Sequence, residues 1–136
     1  PPYVVAVMDA GELVFHLRQR GLFTDRIFGW DDGRVIVRQF LLASGGHIVW
    51  RLRQEGARGA CKARQTFPVR LGESRCNYGA SGNAAAIVPG PVYDIRLSAS
   101  DCEQAACTDQ EQWWSGEVVG RFRLGKNGRV INFRPD

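Results

Sequence analysis

Three residues set the first chemical question: His47, Arg51 and Arg53, all within one short stretch. An imidazole can transfer protons, and a guanidinium fork can hold a phosphate. With a net charge of +4 and a pI near 9.2, the trio suits a small basic secreted hydrolase acting on a polyanion, with a nuclease as the first candidate. Two features weigh against it. The arginines alternate along a strand-like segment, as on an ordinary solvated face, and no glutamate is placed to pair with His47. The other histidine, His16, sits beside Leu13 and Leu17 and reads as a packing or surface residue.

The four cysteines carry different chemistry. Cys61, Cys76, Cys102 and Cys107 are spaced C-x14-C-x25-C-x4-C, with no CxxC pair and no histidine nearby in sequence. Structural zinc sites usually need such tight pairs, so no metal is expected and two disulfides are. Sequential pairing, Cys61–Cys76 and Cys102–Cys107, closes the shortest loops. In the chain-entropy treatment a 15-residue loop contributes on the order of 3 kcal/mol. Disulfides place the protein outside a reducing cytosol, in a periplasm or secreted.

The second pair defines the most distinctive segment, from Asp101 to Trp114. Glu103 and Gln104 lie inside a six-residue cystine loop, followed by acids at Asp109 and Glu111 and then by Trp113 and Trp114. Adjacent residues of a strand face opposite ways, so one tryptophan is expected in the core and the other nearer solvent. A stapled loop loses little entropy on binding, and an exposed tryptophan is a common anchor. The alternative is a loop whose tryptophans both pack inside.

Other signatures are missing. The chain has no GxSxG, no Walker loop and no dinucleotide fingerprint. Gly79-Ala80-Ser81-Gly82 reads as a loop, and Asp31-Asp32 before Gly33 reads as turn chemistry rather than a calcium site. No apolar run approaches the roughly 20 residues of a membrane-spanning helix. The opening Pro1-Pro2-Tyr3 lacks a methionine or a basic stretch, as expected of a processed mature start or a trimmed chain. Charge falls in blocks. From Arg51 to Arg75, seven basic residues (51, 53, 58, 62, 64, 70 and 75) face only Glu55 and Glu73; from Asp94 to Glu117, six acids face only Arg96; the tail is basic again. Either the blocks cancel across the surface or they steer a charged partner.

These groups need elements to hold them. Tyr3–Met8 is a β-branched apolar run and reads as a buried strand. Asp9 with Glu12 matches a capping box, and Ala10, Leu13, Val14 and Leu17 recur at helical spacing before Gly21, which predicts a helix over Ala10–Arg20. The rival is a strand, since Leu13, Phe15 and Leu17 also alternate. Arg34–Leu42 and His47–Arg53 predict a hairpin around Gly45-Gly46, with Ile48, Trp50 and Leu52 on one face and His47, Val49, Arg51 and Arg53 on the other. Residues 54–66 read as loop, and Phe67–Leu71 as a short strand. Tyr93, Ile95 and Leu97 alternate in another strand. Asn127-Gly128 predicts a two-residue type I′ hairpin between Glu117–Gly125 and Arg129–Phe133. That register sets Leu124 opposite Ile131 and Phe122 opposite Phe133, with Arg121 and Arg123 on the far face.

The expected fold is mainly β (α+β), a single domain over residues 1–136: an antiparallel meander, barrel or sandwich with one N-terminal helix. The residues favour a non-catalytic extracytoplasmic binding module, such as an inhibitor, adhesin-type or envelope accessory domain. It would use Trp113, Trp114, Glu103 and Gln104 against another protein, with no cofactor. A basic hydrolase centred on His47, with nucleic acid as partner, and a barrel enclosing an apolar ligand are the lesser readings.

Overall fold

The computed structural model describes residues 2–19, 35–55, 61–76, 78–101 and 112–135; for residues 19, 101, 112 and 113 it describes the backbone alone. Over these residues the chain is mainly antiparallel β. Nine strands run in order as β1 (Pro2–Asp9), β2 (Glu12–Gln19), β3 (Val35–Ser44), β4 (His47–Gln54), β5 (Val69–Arg70), β6 (Tyr78–Gly82), β7 (Tyr93–Asp101), β8 (Gln112–Leu124) and β9 (Val130–Phe133). Among the described residues one α-helical turn, α1 (Ala63–Thr66), precedes β5. No helix among the described residues is long and apolar enough to cross a membrane.

The segment expected to be a helix is β2. Asp9 and Glu12, which imitate a capping box in sequence, instead pair across a two-residue hairpin turn. Ala10 and Gly11 both hold positive φ (51° and 80°), the signature of a type I′ turn. Arg70 explains the acids: its guanidinium reaches Asp9 at 2.7 Å and Glu12 at 2.8 Å, clamping both sides of the turn. Leu13, Val14 and Phe15 are all nearly inaccessible, and β2 is the middle strand of a three-stranded sheet ordered β1-β2-β5. Burial on both faces blurs the period-two pattern and makes the helical spacing look better than it is.

The larger sheet has six strands in the order β6-β4-β3-β7-β8-β9. Its register shifts within β3/β4, β3/β7 and β7/β8, and such bulges bend and coil a sheet. The two sheets face each other across one apolar core, and no barrel closes among the described strands. Phe15 of the small sheet meets Phe40 at 5.2 Å and Phe122 at 5.5 Å between ring centroids. Phe67, Trp50 and Tyr93 extend the ring cluster. The sheets come closest where β1 crosses β8. There Gly120 has no side chain, and a Cβ would sit 2.3 Å from the Val4 carbonyl oxygen. Asn132 then ties β1 to β9, accepting from the Ala6 N–H and donating to the Ala6 carbonyl, both at 2.8 Å.

The C-terminal hairpin forms with a different register from the one Asn127-Gly128 predicts. Leu124 pairs with Val130, Phe122 with Asn132, and Arg121 with Phe133. The Gly128 N–H bonds to the Gly125 carbonyl, and Gly125 pairs back to Arg129. Gly128 alone takes a positive φ (73°). This is the three-residue loop, a type I turn closed by a glycine bulge, rather than the two-residue one. One residue of slip sends Phe133 to the outer face beside Arg121, where it is 41% exposed.

Cys61 and Cys76 are bridged, with Cα atoms 6.2 Å apart. The bridge closes the segment holding α1 and β5. Tyr78, just beyond it, anchors that segment to the large sheet. Its buried hydroxyl donates to the Val37 carbonyl at 2.6 Å, accepts from the Cys61 N–H at 3.2 Å and lies 3.2 Å from the Thr66 hydroxyl. Burial raises its pKa above the ordinary tyrosine value, and the Thr66 hydrogen bond opposes that shift. Cys102 and Cys107 lie outside the described residues.

Candidate functional site

One face of the large sheet packs on the core; the other faces away from it. Cross-strand pairing shows which side chains share the outer face. Ile48, Ala43, Asp94, Arg121 and Phe133 form one row across β4, β3, β7, β8 and β9. The next row is Ser81, Arg51, Leu41, Arg96 and Val118. A third is Gly79, Arg53, Gln39 and Ser98. Arg123 follows Arg121 on the same face of β8. Five arginines, from β4, β7 and β8, thus share this face with the carboxylate of Asp94 and with that of Glu55, which lies over Gly79 at the edge of the third row.

Asp94 engages two of them. It accepts from Arg121 Nε at 2.8 Å and lies 3.8 Å from Arg96. Arg123 lies over the Phe133 ring, 5.9 Å from its centroid. Arg51 and Arg53 have no acidic partner among the described residues. Between Arg51 and Arg96 sits Leu41, only 5% exposed although it lies outside the main core. The Nε atoms of both flanking arginines are buried and make no hydrogen bond. Arginine stems lying along an apolar residue account for that pattern.

The structure separates the first constellation read from sequence. Arg51 and Arg53 share the outer face, but His47 does not. Leu42 pairs with Trp50 and Ala43 with Ile48, so Val49 is an extra residue in β4. That bulge reverses the face of everything before it. Ile48 joins the arginines and is 52% exposed, contrary to the expected inward face shared with Trp50 and Leu52. His47, opposite Ser44 beside the Gly45-Gly46 turn, is exposed on the other side. A bulge of this kind leaves little sequence signal, because Val49 suits either face.

Trp114 pairs with Ala99, is half-buried and packs against the core. The Trp113 side chain lies outside the described residues, as do Glu103 and Gln104, and Trp113 is the extra residue where the β7–β8 register shifts. The strands on either side are described: Ser100 of β7 pairs with Gln112 of β8. The Asp31-Asp32 turn also lies outside the described residues. Among those described, no group of three or more His, Cys, Asp or Glu side chains is placed to hold a metal. Between the sheets the interior is filled by the packed rings of Phe15, Phe40, Trp50 and Phe122.

Sequence alternation put Arg121 and Arg123 on a solvent face, yet it could not bring them to Arg96 and Arg51. That needs the strand order β4-β3-β7-β8, which no local pattern encodes. Comparison of the chain with protein-family models, curated proteins and solved structures finds no match.

Proposed function

We propose that this protein is a non-catalytic binding module working outside the reducing cytosol, with another protein as its partner. The observation that carries the reading is the anchoring of the Asp101–Trp114 segment. Paired strands hold both of its ends, so a Cys102–Cys107 bridge would present Glu103, Gln104 and Trp113 from a rigid base. Ala99 and Trp114, paired across β7 and β8, pack that base against the core. The Cys61–Cys76 bridge fits, weakly, an oxidising location.

A pull-down from periplasmic or secreted extract tests this, using the oxidised full chain as bait. Trp113→Ala should reduce capture of the principal protein at least tenfold while circular dichroism stays unchanged. Equal capture by wild type and Trp113→Ala would move the site elsewhere. Cleavage of RNA or DNA between pH 5 and 8, abolished by His47→Ala, would replace a binding module with an enzyme.

A further inference from the structure

We propose that the outer face of the six-stranded sheet is a second docking surface, one that takes an extended, carboxylate-rich segment of a partner protein. The proposal rests on the protein-binding reading above but uses different residues. Its core is Arg51, Arg53, Arg96 and Arg123.

Charge is the first argument. These guanidiniums outnumber the acids that share their face: Asp94, already held by Arg121, and Glu55, at the edge over Gly79. Neither Arg51 nor Arg53 forms an ion pair among the described residues, and the nearest acid to Arg53 on this face, Glu55, lies over Gly79 at its edge. Like charges at this density repel, and an acidic partner would relieve that repulsion.

The residue type points to planar acids. Lys62 and Lys126 are the only lysines in the chain; every other basic residue is arginine. Arginine's fork matches a carboxylate or phosphate with two parallel hydrogen bonds, and arginine is enriched in protein interfaces where lysine is depleted. Geometry adds spacing. Arg51 and Arg53 are two residues apart on one strand, about 7 Å, and Arg51 and Arg96 are two strands apart, about 10 Å. An extended peptide carrying acids at alternate positions repeats at about 7 Å and so meets Arg51 and Arg53 in register.

The frame favours protein over nucleic acid or sulfated polysaccharide. Exposed Ile48 and Phe133 stand at the two ends of the first row, and Leu41 lies in the floor between arginines. Apolar residues ringed by arginine are the composition of a protein interface. Among the described residues, the middle of this face offers no unoccupied aromatic platform for bases to stack on: the rows there are Ala43, Leu41, Gln39 and their neighbours.

The test uses the oxidised full chain and fluorescein-labelled poly-L-glutamate, with heparin and single-stranded DNA as competitors. Fluorescence anisotropy at low salt should show binding. Arg51→Gln/Arg53→Gln should weaken it at least tenfold, and the exposed single variant Arg53→Gln at least threefold. Lys126→Gln/Arg129→Gln, which removes the same charge at the exposed β8–β9 turn, should change it less than twofold. Equal loss in both double variants would reduce the effect to net charge and overturn the proposal. Absence of binding would overturn it too, as would tighter, Arg51- and Arg53-dependent binding of heparin or DNA. Trp113→Ala should leave poly-L-glutamate binding intact, so this surface and the 101–114 segment stand or fall separately.

Discussion

Tyr78 shows how much a single side chain can organise. Its hydroxyl satisfies a β3 carbonyl, the backbone beside Cys61 and the α1 threonine at once. Removing it leaves buried polar groups without partners, which costs about 1–3 kcal/mol. Tyr78→Phe should therefore lower the unfolding free energy by about that amount, read as a lower urea midpoint with little change in the slope. His16 supplies a pH dependence. Burial and the nearby Arg18 hold its pKa below the ordinary value of 6.5, against a smaller opposing effect of Asp9. Above 6.5 the ring is neutral whether the chain is folded or not. As pH falls through 6.5 the unfolded chain takes up the proton first, so stability declines until the folded ring is protonated as well. Thermal unfolding of His16→Gln should lose that component of the decline while the rest of the profile persists. Neither role is legible in sequence. A lone tyrosine beside a cysteine and a lone histidine between leucines say nothing of what they meet across the fold.

Elements were more readable. The strands over Tyr3–Met8, Arg34–Leu42, His47–Arg53 and Tyr93–Leu97 lie where alternation and β-branched content put them. Two failures share one cause: turn chemistry that fits two geometries. Asp9-Ala10-Gly11-Glu12 satisfies a helix cap as well as a hairpin, and Asn127-Gly128 fits a two-residue or a three-residue loop. In the first case Ala10 sits in a backbone region that costs a non-glycine residue about 1–2 kcal/mol. Ala10→Gly relieves that strain but loosens the unfolded chain, for a net gain of about 0.5–1 kcal/mol in chemical denaturation. A loss of stability there would contradict the type I′ turn.

At the scale of the whole molecule, the fold depends on where two sheets meet, and the outer surface on the order in which strands line up. β1 can lie against β8 because Gly120 leaves room for the Val4 carbonyl. Gly120→Ala forces the backbones apart and should destabilise by about 1–3 kcal/mol, read by equilibrium unfolding. Unchanged stability would mean that the sheets do not approach as described. Mainly β, antiparallel architecture was legible from composition and pattern. The strand order was not, and with it went the arginine face, since residues from 51 to 123 meet only after β3 and β7 are placed between their strands. The account's central claim, an oxidised binding module, is tested most directly by quantitative capture of partner protein from extracytoplasmic extract, with wild type and Cys102→Ser/Cys107→Ser compared side by side. The account predicts a defined protein retained by wild type and reduced at least tenfold in the double variant at unchanged circular dichroism. Equal retention by both would contradict it.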